Sequence, residues 1–260
     1  MEFETITYDV RDRIGRLHFN RPEGANAVNP TFARELRAAM LEIAYDDEVK
    51  AVAVTAEGKV FCAGGDLKQF HAWGDQMARH AHDMLVDFHA AIHMMNHTPK
   101  PFIAGVRGAA GGAGMSLMSS FDLVVSGESA KYTMAYTRAG VTPDGTSSYF
   151  VARHIGLRRM LDLTLTNRVL SADEAEAWGL VNRVVPDDDV DQATIDLAAS
   201  MASGATSALG EAKRVVYNGI DATLETAGEF EAKMITKAMA TADGLEGVAA
   251  FVEKRAPEFE

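Results

Sequence analysis

The sequence predicts an α/β fold built from recurring strand-and-helix turns. Two apolar stretches, Ala51 to Thr55 and Phe102 to Val106, have the length and continuity of buried strands. Each runs into a glycine-rich segment and then a helical pattern. The segments are Phe61-Cys62-Ala63-Gly64-Gly65-Asp66-Leu67 and Gly108-Ala109-Ala110-Gly111-Gly112-Ala113-Gly114-Met115-Ser116. A further strand-like stretch, Phe121 to Ser126, continues the alternation, so the structural unit recurs without a sequence repeat.

In chain order, residues 3–20 alternate apolar and polar in two runs around Arg11-Asp12-Arg13, which predicts a hairpin. Pro30 suits a first helical position, and Phe32, Leu36, Met40 and Ile43 follow at helical spacing. After Ser147 strand signals nearly vanish. Ser171 and Glu174 have the spacing of a capping box, for a helix that Gly179 closes. A short strand is expected at Leu180 to Val185, then helices near 190–203, 206–218, 221–241 and 245–256. These divide the chain into an α/β core, 1–185, and a helical C-terminal region, 186–260.

Composition bounds the function. With 260 residues and 47% apolar content the chain can bury a large core. Its single cysteine, Cys62, permits no internal disulfide and suits a reducing compartment; between Phe61 and Ala63 it reads as a small buried hydrophobe. The acidic start Met1-Glu2-Phe3-Glu4 is unlike a signal peptide, and no run approaches the roughly 18 apolar residues of a membrane span. A cytoplasmic protein is expected. The net charge of −12 argues against a nucleic-acid surface. A small anionic ligand needs only a local basic patch, to which Arg21, Lys68, Arg107, Lys254 and Arg255 could contribute.

The glycine segments point to chemistry. Without a Cβ the backbone turns sharply and approaches a ligand closely, and amides at a helix start are unpaired donors. Two such turns facing each other can aim two N–H groups at one oxygen, as an oxyanion hole does. Neither segment has the spacing of a phosphate-binding loop.

Four ordered signatures carry a resemblance: Asn20-Arg21-Pro22 with Asn26-Ala27-Val28; Phe61 to Leu67; Gly108 to Leu117; and Gly140-Val141-Thr142-Pro143-Asp144-Gly145. Leu170 to Ala175, leading to Trp178-Gly179-Leu180-Val181, extends them. Together they resemble the enoyl-CoA hydratase/isomerase (crotonase) family over nearly the whole chain. The resemblance implies a spiral of strand-strand-helix units, an acyl-CoA thioester substrate, no cofactor beyond the CoA that substrate carries, and no metal. It also implies a homotrimer or dimer of trimers packed through the helical tail, with Met234 to Met239 as a possible contact. By position, Gly65 and Ala113 would be the oxyanion donors. Ala25, Ala27, Ala63, Gly64, Asp66, Leu67, Gly112, Ser116 and Tyr136 would line the substrate.

The two glutamates of family hydratases align with Ser116 and Tyr136, neither of which is a carboxylate. The remaining carboxylate is Asp144. Read alone, Pro143-Asp144-Gly145 favours a turn. By resemblance it holds the single acidic residue of a branch of enoyl-CoA isomerases, which moves a proton from one carbon to another. A second branch, the 4-chlorobenzoyl-CoA dehalogenases, is similar from Lys131 to Val184, with Asp144 as nucleophile and His89 as the base that activates water. His71, His80, His82, His89, His93 and His97 form a crowd, four of them on one helix side, but no acidic partner completes an H-E-x-x-H metal motif. A non-catalytic thioester or RNA binder is the reading of another class; Asp144 and the negative charge oppose it.

Overall fold

The computed structural model describes residues 2–259. Strands β1 (Ile6–Arg11) and β2 (Ile14–Phe19) pair antiparallel, as the alternation predicts. Asp12 and Arg13 between them both take positive φ, which matches the twist of the flanking strands in a two-residue turn. Strands β3 (Ala51–Ala56), β4 (Phe102–Val106), β6 (Leu123–Gly127) and β9 (Arg183–Val185) then add in parallel, giving the order β1-β2-β3-β4-β6-β9. A smaller sheet holds β5 (Ala109–Gly111), β7 (Lys131–Thr133) and β8 (Leu170–Ser171), in the order β5-β7-β8.

The chain alternates between these sheets. It passes from β4 to β5, crosses α4 (Ala113–Ser119), and passes from β6 to β7. One turn earlier, Cys62 follows β3 and bridges to Ala110 of β5. Each turn of this spiral therefore sets a strand in the large sheet and a short one beside the small sheet. The glycine runs lie where the chain changes sheet.

Helix α1 (Pro30–Tyr45) starts at Pro30, with the Asn29 side chain accepting from Phe32 N–H. It packs on α3 (Met77–His97), and both cover one face of the large sheet, where Leu17, Val52, Val54 and Ala104 meet Leu36, Met40, Phe88 and Ile92. The other face holds Ile14, Ala51, Ala53, Ile103 and Val125, covered by Ala198 and Ala202 of α8 (Val190–Ala202). β4 is apolar throughout because both of its faces are buried.

The remaining helices are α2 (Leu67–Ala72), α5 (Ser147–Ile155), α6 (Leu157–Thr166), α7 (Ala172–Ala177), α9 (Thr206–Asp221), α10 (Leu224–Met239) and α11 (Ala242–Glu253). The Ser171–Glu174 capping box is formed at the start of α7. The last three helices end or begin within three residues of the expected positions, and two strand starts differ from expectation. Leu180 and Val181 are core residues rather than strand, because Asn182 takes the backbone of Val124 on both sides and sets the start of β9. The strand expected from Phe121 begins at Leu123, since Phe121 still closes α4. In the Met234–Met239 stretch, Met234 is buried and Met239 exposed. Among the described residues no helix is long and apolar enough to cross a membrane.

Candidate active site

The first glycine turn is held between two neighbours. Val28 N–H donates to Gly64 O (2.7 Å) and Asp66 N–H to Val28 O (2.9 Å). Successive amides along an extended chain point to opposite sides, so Gly65 N–H faces away from Val28, and it has no hydrogen-bond partner among the described residues. Gly64, at φ +112°, lies so close to the second turn that a Cβ there would come within 2.9 Å of Gly111 O and 3.5 Å of Ala113 N. Only glycine permits that approach.

The second turn is fixed by Gly111 N–H donating to Cys62 O (3.0 Å) and Gly112 N–H to Thr133 O (3.0 Å). Ala113 then opens α4, and its amide is one of the donors that a helix start leaves unpaired. Two free N–H groups thus sit on turns in direct contact, an arrangement able to receive an oxyanion.

Asp144 reaches this region through the loop after β7. Gly145, at φ +62°, packs so tightly that a Cβ would lie 2.9 Å from Ser116 Cβ and 3.0 Å from Phe88 Cε1. Thr146 is also left-handed (φ +61°), a costly conformation for a β-branched residue. The Asp144 carboxylate is about one-third exposed, and its Oδ1 lies 3.0 Å from His89 Nε2 on α3. An ionised carboxylate only accepts, so His89 is the donor to it. The Asp144 carbonyl accepts from Tyr136 Oη (3.1 Å), and the Ser116 hydroxyl shares its one proton between Tyr136 Oη (2.8 Å) and Gly112 O (3.2 Å). One hydrogen-bonded path therefore joins the Asp144 loop to the residue before Ala113. Burial pushes the Tyr136 hydroxyl well above the ordinary tyrosine range, so it stays protonated.

Ser116 and Tyr136 do meet, but they bring hydroxyls where two carboxylates would be needed. Asp66 accepts from Arg21 (2.7 Å) and caps α2 at Gln69 N–H (3.2 Å), so its carboxylate is already engaged by the scaffold. Arg21 also holds Ala27 O (3.1 Å). Ala63 N–H donates to Ala25 O (3.0 Å), tying Ala25 and Ala27 to the first turn; Ala27 is buried, while Ala63 and Leu67 are exposed. Of the candidate basic patch, Arg107 pairs with Asp191 and Arg255 with Glu246. Lys68 and Lys254 have no ion pair among the described residues. His97 Nδ1 turns back to His93 O (2.8 Å).

Sequence reasoning missed two aromatic residues. The Phe70 ring lies 2.7 Å from where a Cβ on Gly65 would sit, so it walls the first turn from α2. Its signal was its place one helical turn past the Asp66 cap. Phe88 seats the Asp144 loop; its signal was only its apolar position beside His89.

The family model described as enoyl-CoA hydratase/isomerase matches residues 9–260. Among curated relatives, "Probable enoyl-CoA hydratase echA8" of Mycobacterium tuberculosis is 34% identical, over 100% of this chain and 99% of that protein. The 4-chlorobenzoyl coenzyme A dehalogenase-2 of an Arthrobacter species is 32% identical, over 96% and 91%. The 1,2-epoxyphenylacetyl-CoA isomerase of Escherichia coli is 32% identical, over 100% and 98%. A solved enoyl-CoA hydratase from Polaromonas superposes with a TM-score of 0.93 at 30% identity, covering 98% of this chain and 99% of that one. The chain belongs to the enoyl-CoA hydratase/isomerase family and has the crotonase fold.

Proposed function

We propose that the protein moves a double bond in an enoyl-CoA. Gly65 and Ala113 N–H hold the thioester carbonyl oxygen. The Asp144 carboxylate removes a proton from C2 of a 3-enoyl-CoA, and the negative charge spreads over a dienolate whose oxygen the two amides stabilise. The same carboxyl group returns the proton at C4, so the double bond passes from C3=C4 to C2=C3 and nothing is consumed. His89 holds one carboxylate oxygen and leaves the other for the substrate. No cofactor takes part. The observation that carries this reading is the lone carboxylate: Ser116 and Tyr136 occupy the two hydratase positions with hydroxyls that bond each other. A relative named 1,2-epoxyphenylacetyl-CoA isomerase shares the thioester and the class of reaction, though its named substrate is an epoxide.

One observation favours a second reading, dehalogenase-like hydrolysis of a 4-halobenzoyl-CoA: the 3.0 Å contact between His89 and Asp144. There Asp144 would attack the ring carbon, halide would leave, and His89 would activate water on the resulting ester. Against it, the Tyr136 hydroxyl bonds the Asp144 backbone carbonyl rather than its carboxylate. A screen of 3-enoyl-, 2-enoyl- and 4-halobenzoyl-CoA thioesters, with products identified by mass, separates the readings. Isomerisation predicts conversion of the 3-enoyl thioester without mass change. Addition of 18 mass units to a 2-enoyl thioester would mean hydration. Halide release, with a covalent adduct trapped in His89→Gln, would mean the dehalogenase chemistry.

Assembly as a homotrimer or dimer of trimers belongs to the same proposal. It is supported by large apolar side chains left exposed on the tail: Leu224 at 85%, Phe251 at 86% and Val252 at 73%. Analytical ultracentrifugation showing a monomer at micromolar concentration would contradict it.

A further inference from the structure

A cavity of about 760 Å³ opens beside the candidate site, between the C-terminal half of α3, the start of α5 and helix α9. Its lining includes His93, Asn96, Thr146, Tyr149, Arg214 and Asp221. Thr146 is two residues from Asp144, and His93 lies one helical turn beyond His89, with ring centroids 6.4 Å apart. The cavity therefore begins where the reacting carbons of a substrate on Asp144 would end. Its size is in the range of small-ligand pockets, and polar side chains interrupt a wall to which Ile92, Phe150 and Ala222 also contribute.

The polar groups are not balanced. The Asp221 carboxylate accepts from Tyr149 Oη (2.7 Å) and Arg153 (2.6 Å), and Arg153 lies 3.5 Å over the Tyr149 ring. That clamp ties α5 to the end of α9 and occupies the acidic group of the wall. The donors are left over. Asn96 Nδ2 is covered by protein and stands toward the Tyr217 hydroxyl, but makes no hydrogen bond within 3.5 Å. The His93 ring makes none among the described residues. Arg214 shares Glu211 (3.0 Å), its one carboxylate partner among the described residues, with Lys237 (2.7 Å), so two cations face one anion. A buried donor without a partner is costly, and an excess of cation favours an anionic acceptor.

We infer that this cavity is an acyl subsite for a thioester whose far end carries a second carboxylate, received by Arg214, His93 and Asn96. The inference rests on the acyl-CoA reading above, though not on which reaction follows. The α-helical rise puts His93 and Asn96 about 6 and 10 Å along α3 from His89, so the terminal carboxylate sits about that far beyond the reacting carbons.

The test is calorimetric and needs no turnover. Saturated dicarboxylic mono-CoA thioesters of six, eight and ten carbons are compared with the monocarboxylic thioesters of equal length. The expected result is at least tenfold tighter binding of the diacid at one or more lengths. That ratio should fall below threefold in Arg214→Met and separately in Asn96→Leu, each checked for folding by its melting temperature. A ratio near one at every length overturns the subsite while leaving the acyl-CoA reading in place. So does equal affinity for the methyl ester of the diacid, which would mean that shape rather than charge is recognised. If neither class of thioester binds, the acyl-CoA reading fails, and the subsite with it.

Discussion

Asp144 does its work only as well as its backbone is placed, and three contacts place it: Gly145 against Ser116 and Phe88, Tyr136 Oη on its carbonyl, and His89 on its carboxylate. Tyr136 is a positioning residue in this account, kept neutral by burial. Tyr136→Phe should therefore lower turnover about tenfold or less and leave the pH profile unchanged. A loss above 10³-fold with an altered profile would make Tyr136 an acid or base instead. Cys62 gives an independent check on packing. It is fully buried, and burial pushes its thiol up to about 11. Iodoacetamide at pH 8 should leave the native protein unmodified and label it quickly once it is unfolded. The sequence already favoured a packing role for Cys62, from its apolar neighbours and the absence of a histidine beside it. Asp144 was legible by resemblance, and so was His89 as its companion in the dehalogenase branch; without that resemblance no pattern in one chain says which of six histidines will face a loop 55 residues away.

At the scale of elements, local signals were the legible ones. The α7 capping box formed as spaced, with both Ser171 and Glu174 bonded to backbone, so Ser171→Ala should cost about 1 kcal/mol in a urea melt. The docking of α9 could not be read, since it depends on a pair distant in sequence. Lys213 Nζ lies 2.9 Å from Asp122 Oδ2 and also donates to Met95 O (2.8 Å) and Lys100 O (3.1 Å). Asp122 accepts in turn from Phe102 N–H (2.8 Å) and Tyr217 Oη (3.2 Å). Burial pushes Asp122 up and Lys213 down, each opposed by its partner's charge. Removing one member strands the other, so Lys213→Met should destabilise by about 3–5 kcal/mol. Lys213→Met with Asp122→Asn should recover part of that loss; no recovery would mean that the pair is not the source. α8 shows the same limit of sequence reading. Its helical pattern was plain, but nothing local showed that it would cover the large sheet as Ala198 and Ala202 do.

For the whole molecule, the alternation of strands, glycine turns and helices made an α/β fold legible, while the spiral itself was legible only through the family resemblance. Long-range burial also sets an alkaline limit. Cys62 is raised to about 11, and burial raises Tyr132, Tyr136 and Tyr217 beyond the ordinary tyrosine range. The unfolded chain loses these protons first, so their contribution is fully present below about pH 8.5 and is lost as pH rises. Cys62 alone gives a slope of about 1.4 kcal/mol per pH unit between its unfolded and folded values. Melting temperature should be level from pH 7 to 8.5 and fall above 9, more steeply once tyrosines ionise; a level profile to pH 11 would contradict this burial.

The proposed chemistry rests on one group, Asp144, working beside two free amides. The most direct measurement is steady-state conversion of a 3-enoyl-CoA by Asp144→Asn, with thioester affinity measured on the same preparation. The predicted result is a loss of about 10²-fold or more in turnover, with affinity within a few-fold of the unmutated protein, because the amides of Gly65 and Ala113 still hold the carbonyl. Turnover equal to that of the unmutated protein would contradict the proposed mechanism outright.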